Sequence, residues 1–171
     1  DELAEIDTKK KIDNLKVEAL EKLKRQAQLQ LQYETTGSPC FEIIEKNISE
    51  PKGFNLIPKP SNVDLFFDLE SVPEHVYPGK LEYLFGLYFV ENDKENYIPF
   101  WAHSKEEEKK SLKQFFKFTK DHFKKYPDAR IYHYASYEIT ALEKITSYHK
   151  VHNIDYDHYL HLGKFVDLFR I

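Results

Sequence analysis

Val63-Asp64-Leu65-Phe66-Phe67-Asp68-Leu69-Glu70 is the stretch on which the reading of this 171-residue chain turns. In an extended strand, side chains alternate between faces, so Asp68 and Glu70 share one face with their Cα atoms about 7 Å apart. Val63, Leu65, Phe67 and Leu69 take the other face, and Phe66 makes the run nearly apolar throughout, as suits a central strand. Working outward, Leu81 to Val90 and Tyr97 to Ala102 read as further strands. The polar link Glu91 to Asn96 joins those two as an antiparallel hairpin. Ser104 to Lys125 spaces Leu112, Phe115, Phe116 and Phe123 as a helix does, and Pro127 ends it. Ala129 to His133 is a buried strand. Ser136 to His149 is a second helix with Ala141, Leu142, Ile145 and Tyr148 inward, and Gly163 to Leu168 is a further strand. Three strands, helix, strand, helix, strand predicts an α/β fold on a mixed sheet: an antiparallel meander followed by helix-strand-helix.

Upstream, residues 1–34 are rich in Lys, Glu, Leu, Ala and Gln and lack Pro and Gly, so they predict a helical segment. Ile12, Leu15, Ala19, Leu23 and Ala27 form its apolar stripe, and Asp13 is a candidate cap. Residues 35–62 hold Gly37, Pro39, Pro51, Gly53, Pro58 and Pro60, which mark a connector. Within it, Cys40 to Ile44 suits a short strand. The main domain is expected over residues 63–171.

Composition excludes several classes. Apolar residues make up 41% and aromatic ones 15%, which argues for a packed globule rather than a disordered polyelectrolyte. The net charge of −4 does not advertise a nucleic-acid partner by itself, although bound cations at an acidic site would hide one. The single cysteine, Cys40, has no internal disulfide partner, so a reducing, cytoplasmic setting is the default expectation. No apolar run approaches the roughly 20 residues of a membrane-spanning helix. The chain opens on Asp1 and contains no Met, which reads as a piece of something longer.

A second informative segment is Ile131-Tyr132-His133-Tyr134-Ala135-Ser136-Tyr137-Glu138. Ser136 is a candidate N-cap, placing Glu138 in the first helical turn beside the positive end of the helix dipole. That position suits a carboxylate with or without a function. Likewise, Asp68 and Glu70 taken alone read equally well as the start of an exposed Ser71 to Lys80 loop or as a pair sharing a divalent cation.

Taken together, a strand ending Asp68-x-Glu70 and a His133-x-x-x-Tyr137-Glu138 segment opening a helix resemble the DEDD-type 3′-to-5′ exonucleases, which have a ribonuclease-H-like fold. Tyr134, Tyr137 and Glu138 stand where that family has Asn, Phe and Asp. The wording is similar to the YprB-like domain of predicted RecB-family nucleases, through Gly53-Phe54, Pro58-x-Pro60-Ser61, Leu81-Glu82-Tyr83-Leu84-Phe85-Gly86 and Gln26-Ala27-x-Leu29-Gln30.

The resemblance implies two Mg²⁺ or Mn²⁺ ions, with Asp68 bridging both, Glu70 holding one and Glu138 positioning the second. It implies substrate contacts from His133, Tyr134 and Tyr137, and a subsidiary acid in Asp167. The family's third motif, a Tyr or His base and a final Asp on a later helix, is expected beyond Ile171, so the domain is expected to be C-terminally incomplete here and full activity is expected of a longer chain. Implied partners are single-stranded ends of DNA or RNA, and RecB-like nuclease or helicase domains of a longer chain in DNA repair. No membrane partner is expected, and a homodimer would cover an exposed sheet edge. The rival reading is a non-catalytic ribonuclease-H-like module that binds nucleic acid or another domain.

Weaker signals have ordinary readings. His149, His152, His158 and His161 form two HxxH pairs, for which exposed histidines compete with a zinc site. Lys109, Lys110, Lys113, Lys117, Lys120, Lys124 and Lys125 read as the solvated face of an amphipathic helix or as a track for phosphates.

Overall fold

The computed structural model describes residues 2–9, 12–43, 53–151 and 153–171. The chain divides into two compact units, Asp1–Glu45 and Lys46–Ile171.

The first unit carries α1 (Glu2–Glu5) and α2 (Val17–Thr36). The expected cap at Asp13 is not used: Asn14 turns the chain at φ 63°, and α2 starts after Lys16 without a side-chain cap. The inward residue of α2 is Leu20 and not Leu23, which is largely exposed. The two helices are joined by Lys24 Nζ donating to the Ile6 carbonyl at 2.7 Å and Gln28 Nε2 donating to that of Ala4 at 3.1 Å. Helix α2 runs past the expected boundary to Thr36, and the hydroxyls of Thr35 and Thr36 donate to the carbonyls of Leu31 and Gln32 in its last turn. It ends at Gly37, whose φ of 67° lets its N–H reach the Tyr33 carbonyl. Residues 40–43 form no strand, and Ile44 lies outside the described residues.

The second unit contains β1 (Leu65–Val72), β2 (Leu81–Glu91), β3 (Lys94–Trp101), α3 (Lys105–Lys125), β4 (Ile131–His133), α4 (Tyr137–His149), α5 (Asn153–His161) and β5 (Phe165–Asp167). The strands form one sheet in the order β3-β2-β1-β4-β5. β1 pairs antiparallel with β2 and β2 with β3, whereas β4 pairs parallel with β1 and β5 with β4. This is the mixed α/β sheet predicted, with β1 at its centre. Helix α5 was not foreseen as an element.

Local chemistry explains the boundaries. The β2–β3 link is two residues, not six: Asn92 and Asp93 take φ 52° and 58°, the left-handed pair a tight hairpin turn requires, so both strands run longer. Pro99 sits on β3, an edge strand, where its missing N–H is tolerated. Ser104 caps α3 by accepting the Glu107 N–H, while Glu107 reaches back to the His103 N–H at 2.8 Å. Asp64 staples β1 to β4: one carboxylate oxygen accepts the Ser61 N–H at 2.8 Å and the other that of Arg130 at 2.7 Å.

One face of the sheet is packed. Leu65, Phe67 and Leu69 of β1, Phe85 and Leu87 of β2, and Ile131 of β4 are buried with Leu112, Phe115 and Phe116 of α3 and Ala141, Leu142 and Ile145 of α4. At about 25 cal/mol per Å² this apolar burial supplies the main drive for folding. The alternate residues of β1, Phe66, Asp68 and Glu70, lie on the opposite, open face. A register irregularity between Glu70 and Ser71 ends that alternation directly after the carboxylate pair.

Candidate functional site

The open face holds a groove of about 500 Å³. Asp68 and Glu70 line it together with His133 and Tyr134, and Phe66, Tyr88, Tyr97 and Tyr132 supply aromatic walls. Phe66 stacks on Tyr132 with ring centroids 5.5 Å apart. Gly86 keeps the floor low, since a Cβ there would come within 2.9 Å of the Tyr97 hydroxyl.

Glu138 approaches from the first turn of α4. It is buried, and its Oε2 has no hydrogen-bond partner. Burial pushes its pKa up; its own backbone N–H opposes this, and the negative charges of Asp68 and Asp167 add to it, as does a hydrogen bond with Asp68. Ser136 gives α4 no side-chain cap, contrary to expectation, because its backbone is already helical at φ −90°, ψ −2°.

The turn that delivers Glu138 is strained and held. Ala135 sits at φ 63°, and its N–H donates to Asp167 Oδ1 at 2.9 Å. The same oxygen accepts the Phe169 N–H at 2.9 Å. His133 is buried, its Nδ1 donates to the Ala135 carbonyl at 2.8 Å, and it lies 3.7 Å from Glu138 Oε2. Burial pulls the His133 pKa down, so its ring is neutral at neutral pH and supplies no counter-charge to Glu138.

The structure thus gathers Asp68, Glu70, His133, Tyr134, Glu138 and Asp167 at the ends of β1, β4 and β5. Tyr137 goes elsewhere. Its hydroxyl donates to Glu82 Oε2 at 2.8 Å and accepts from Lys80 Nζ at 2.7 Å, in a cavity on β2 and α4. Burial pulls Lys80 down, but its bonds to Tyr137 and Glu82 outweigh that and hold its ammonium above the ordinary lysine value.

A divalent cation is the group this arrangement invites. A buried carboxylate oxygen without a partner, facing further negative charge, costs free energy that a cation would offset. Asp68 and Glu138 fit that role, and Glu70 lies two residues along the same strand face. Among the described residues, no group of three or more His, Cys, Asp or Glu side chains stands arranged to hold a metal.

Sequence reading missed Glu108, which is fully buried and accepts hydrogen bonds from the Glu82 N–H at 2.8 Å, Lys105 at 2.9 Å and His149 Nε2 at 2.6 Å. Its signal was an acid on the apolar stripe of α3, four residues before Leu112. His149 is therefore buried and partnered, not exposed, whereas His158 and His161 are exposed and His152 lies outside the described residues. On the basic side of α3, Lys110, Lys113, Lys117 and Lys124 are solvent-exposed.

Among the described residues, no helix is long and apolar enough to cross a membrane. No curated protein and no solved structure matches the chain. A family model described as the RNase_H superfamily matches residues 65–171, more than half of the chain, and these residues contain all five strands of the mixed sheet and the gathered carboxylates. By that match the chain belongs to the RNase H superfamily.

Proposed function

We propose that residues 63–171 belong to a metal-dependent nuclease domain that removes nucleotides from the 3′ ends of single-stranded DNA or RNA. The observation that carries this reading is the buried, unpartnered Oε2 of Glu138 beside Asp68. Asp68 and Glu138 would hold Mg²⁺ or Mn²⁺, with Glu70 on the same strand face as a further donor. When bound, such ions supply the positive charge that activates water and stabilises the leaving oxygen in phosphodiester hydrolysis. The protein's own residues do the positioning: Asp167 and His133 hold the Ala135 turn, which sets Glu138 against Asp68. The aromatic groove alongside suits unpaired bases, which stack on tyrosine and phenylalanine rings.

The kinship to the YprB-like domain of RecB-family nucleases, with DNA repair in the cytoplasm as context and helicase or nuclease domains as neighbours, rests on the motif wording and belongs to this proposal. A non-catalytic nucleic-acid-binding module is the second reading. It is favoured by the lack of a three-residue metal ligand set among the described residues.

The test is Mn²⁺-dependent shortening of a 5′-labelled single-stranded oligonucleotide by this chain and by a version extended past Ile171. Stepwise loss of 3′ nucleotides that disappears in Asp68→Asn supports the exonuclease. An oligonucleotide left intact by both versions, yet retarded by the folded protein, transfers support to the binding module.

A further inference from the structure

Tyr137 and Lys80 belong to a cavity distinct from the carboxylate groove, about 260 Å³ in volume, lying between the start of β2, the first turn of α3 and one side of α4. Three lysines, Lys80, Lys105 and Lys144, line it. Lys80 Nζ donates to the Tyr137 hydroxyl at 2.7 Å and lies 3.1 Å from Glu82 Oε1. Lys105 Nζ reaches both oxygens of Glu108 at 2.9 Å. An ammonium has three donors, so each of these lysines keeps one for a ligand. Both are held by carboxylates that are themselves buried, Glu82 at 4% and Glu108 at 0% side-chain exposure. Lys144 has no ion-pair partner among the described residues, so the lining carries one positive charge in excess of its carboxylates.

The backbone is also committed to this placement. Lys80 takes φ 54°, a left-handed conformation that glycine adopts more cheaply, yet its ammonium lies 4.4 Å over the Tyr137 ring. Tyr148, Ala141 and Ile145 give the remaining wall an apolar character. Three ammonium groups around one space match a tetrahedral oxyanion, which presents several oxygens, better than a planar carboxylate with two. The volume is just below the roughly 300–1,000 Å³ of drug-sized ligand sites, which suits one phosphorylated sugar.

We propose that this cavity binds the phosphate group of a nucleotide, free or within a strand. The proposal does not rest on the nuclease reading, because Glu138 faces Asp68 while its neighbour Tyr137 faces the lysines.

Isothermal titration in EDTA keeps metal chemistry out of the experiment. The probes are adenosine 5′-monophosphate, inorganic phosphate and a dinucleoside monophosphate without terminal phosphates. At least one probe is expected to bind saturably, with affinity falling at least tenfold in Lys144→Glu and falling with added salt. Because Lys144 is exposed, Lys144→Glu should fold, and a thermal melt checks that it does. Preference for the monophosphate assigns the site to a strand end or a free nucleotide. Equal binding of the dinucleoside assigns it to the strand backbone. Absence of saturable binding by all three probes, or binding that survives Lys144→Glu unchanged, overturns the proposal.

Discussion

Asp167 Oδ1 accepts the backbone N–H of Ala135 at 2.9 Å, joining the end of β5 to the turn that leads into α4. Asp167→Ala leaves the part-buried Ala135 N–H without its acceptor, at a cost of about 1–3 kcal/mol, whereas the exposed Phe169 N–H turns to water. Asp167→Asn retains Oδ1 and should cost clearly less. Urea denaturation of the two variants gives the comparison, and equal losses would show that charge, not the hydrogen bond, is what Asp167 contributes.

Ala135 itself offers an opposite test. An L-residue in the left-handed region loses about 1–2 kcal/mol, and glycine relieves it. The extra freedom of glycine in the unfolded chain takes back about 0.4–1 kcal/mol. Ala135→Gly is therefore expected to stabilise by up to about 1.5 kcal/mol, read as a shift in denaturation midpoint. A clear loss of stability would contradict the strain argument.

Glu108 is surrounded by donors from three elements, so Glu108→Ala should be among the most damaging single changes. Removing one member of a buried ion pair costs about 3–5 kcal/mol. Glu108→Gln keeps an acceptor for the Glu82 N–H and should lose less. Thermal denaturation of both variants decides this, and a loss below about 1 kcal/mol for Glu108→Ala would remove Glu108 from the framework.

His122 predicts how stability depends on pH. Its Nε2 donates to the Val63 carbonyl at 2.7 Å, and burial lowers its pKa from the ordinary 6.5, outweighing that hydrogen bond. Below about 6.5 the unfolded chain takes up a proton that the folded chain still refuses, so this contribution to stability falls as pH drops through that window. His122→Gln keeps a donor but does not titrate. The stability difference between wild type and His122→Gln should change in that window and be flat from pH 7 to 8.

Removing the charge of Glu138 bears on cation binding. Glu138→Gln should raise the melting temperature in EDTA, since it eliminates a buried negative charge beside Asp68. Wild type should gain stability from Mn²⁺, by about 2.7 kcal/mol at a hundredfold excess over the dissociation constant, and the variant should gain far less. Equal gains would place any Mn²⁺ site away from Glu138.

Local patterns made much of this legible. The spacing of Leu112, Phe115, Phe116 and Phe123 defined α3, and alternation along Leu65 to Glu70 assigned the two faces of β1 correctly. Helix α5 escaped because it turns only Tyr156 and Tyr159 inward among its described side chains, too short a stripe to stand out. Glu108 escaped because an acid in a first turn is ordinarily explained by the helix dipole.

The sequence by itself determined the strands of the sheet and helices α3 and α4, the central place of β1 and the pairing of Asp68 with Glu70 on one face, because periodicity and side-chain alternation act over a few residues. Only the tertiary structure decided that Glu138 lies against Asp68 with one oxygen unpartnered, that Asp167 restrains Ala135, and that Tyr137 turns from Glu138 toward Lys80. Those relationships join residues 32 to 70 positions apart: the parallel pairing of β1, β4 and β5 brings Glu138 to Asp68 and Ala135 to Asp167, and the antiparallel pairing of β2 with β1 brings Lys80 to Tyr137.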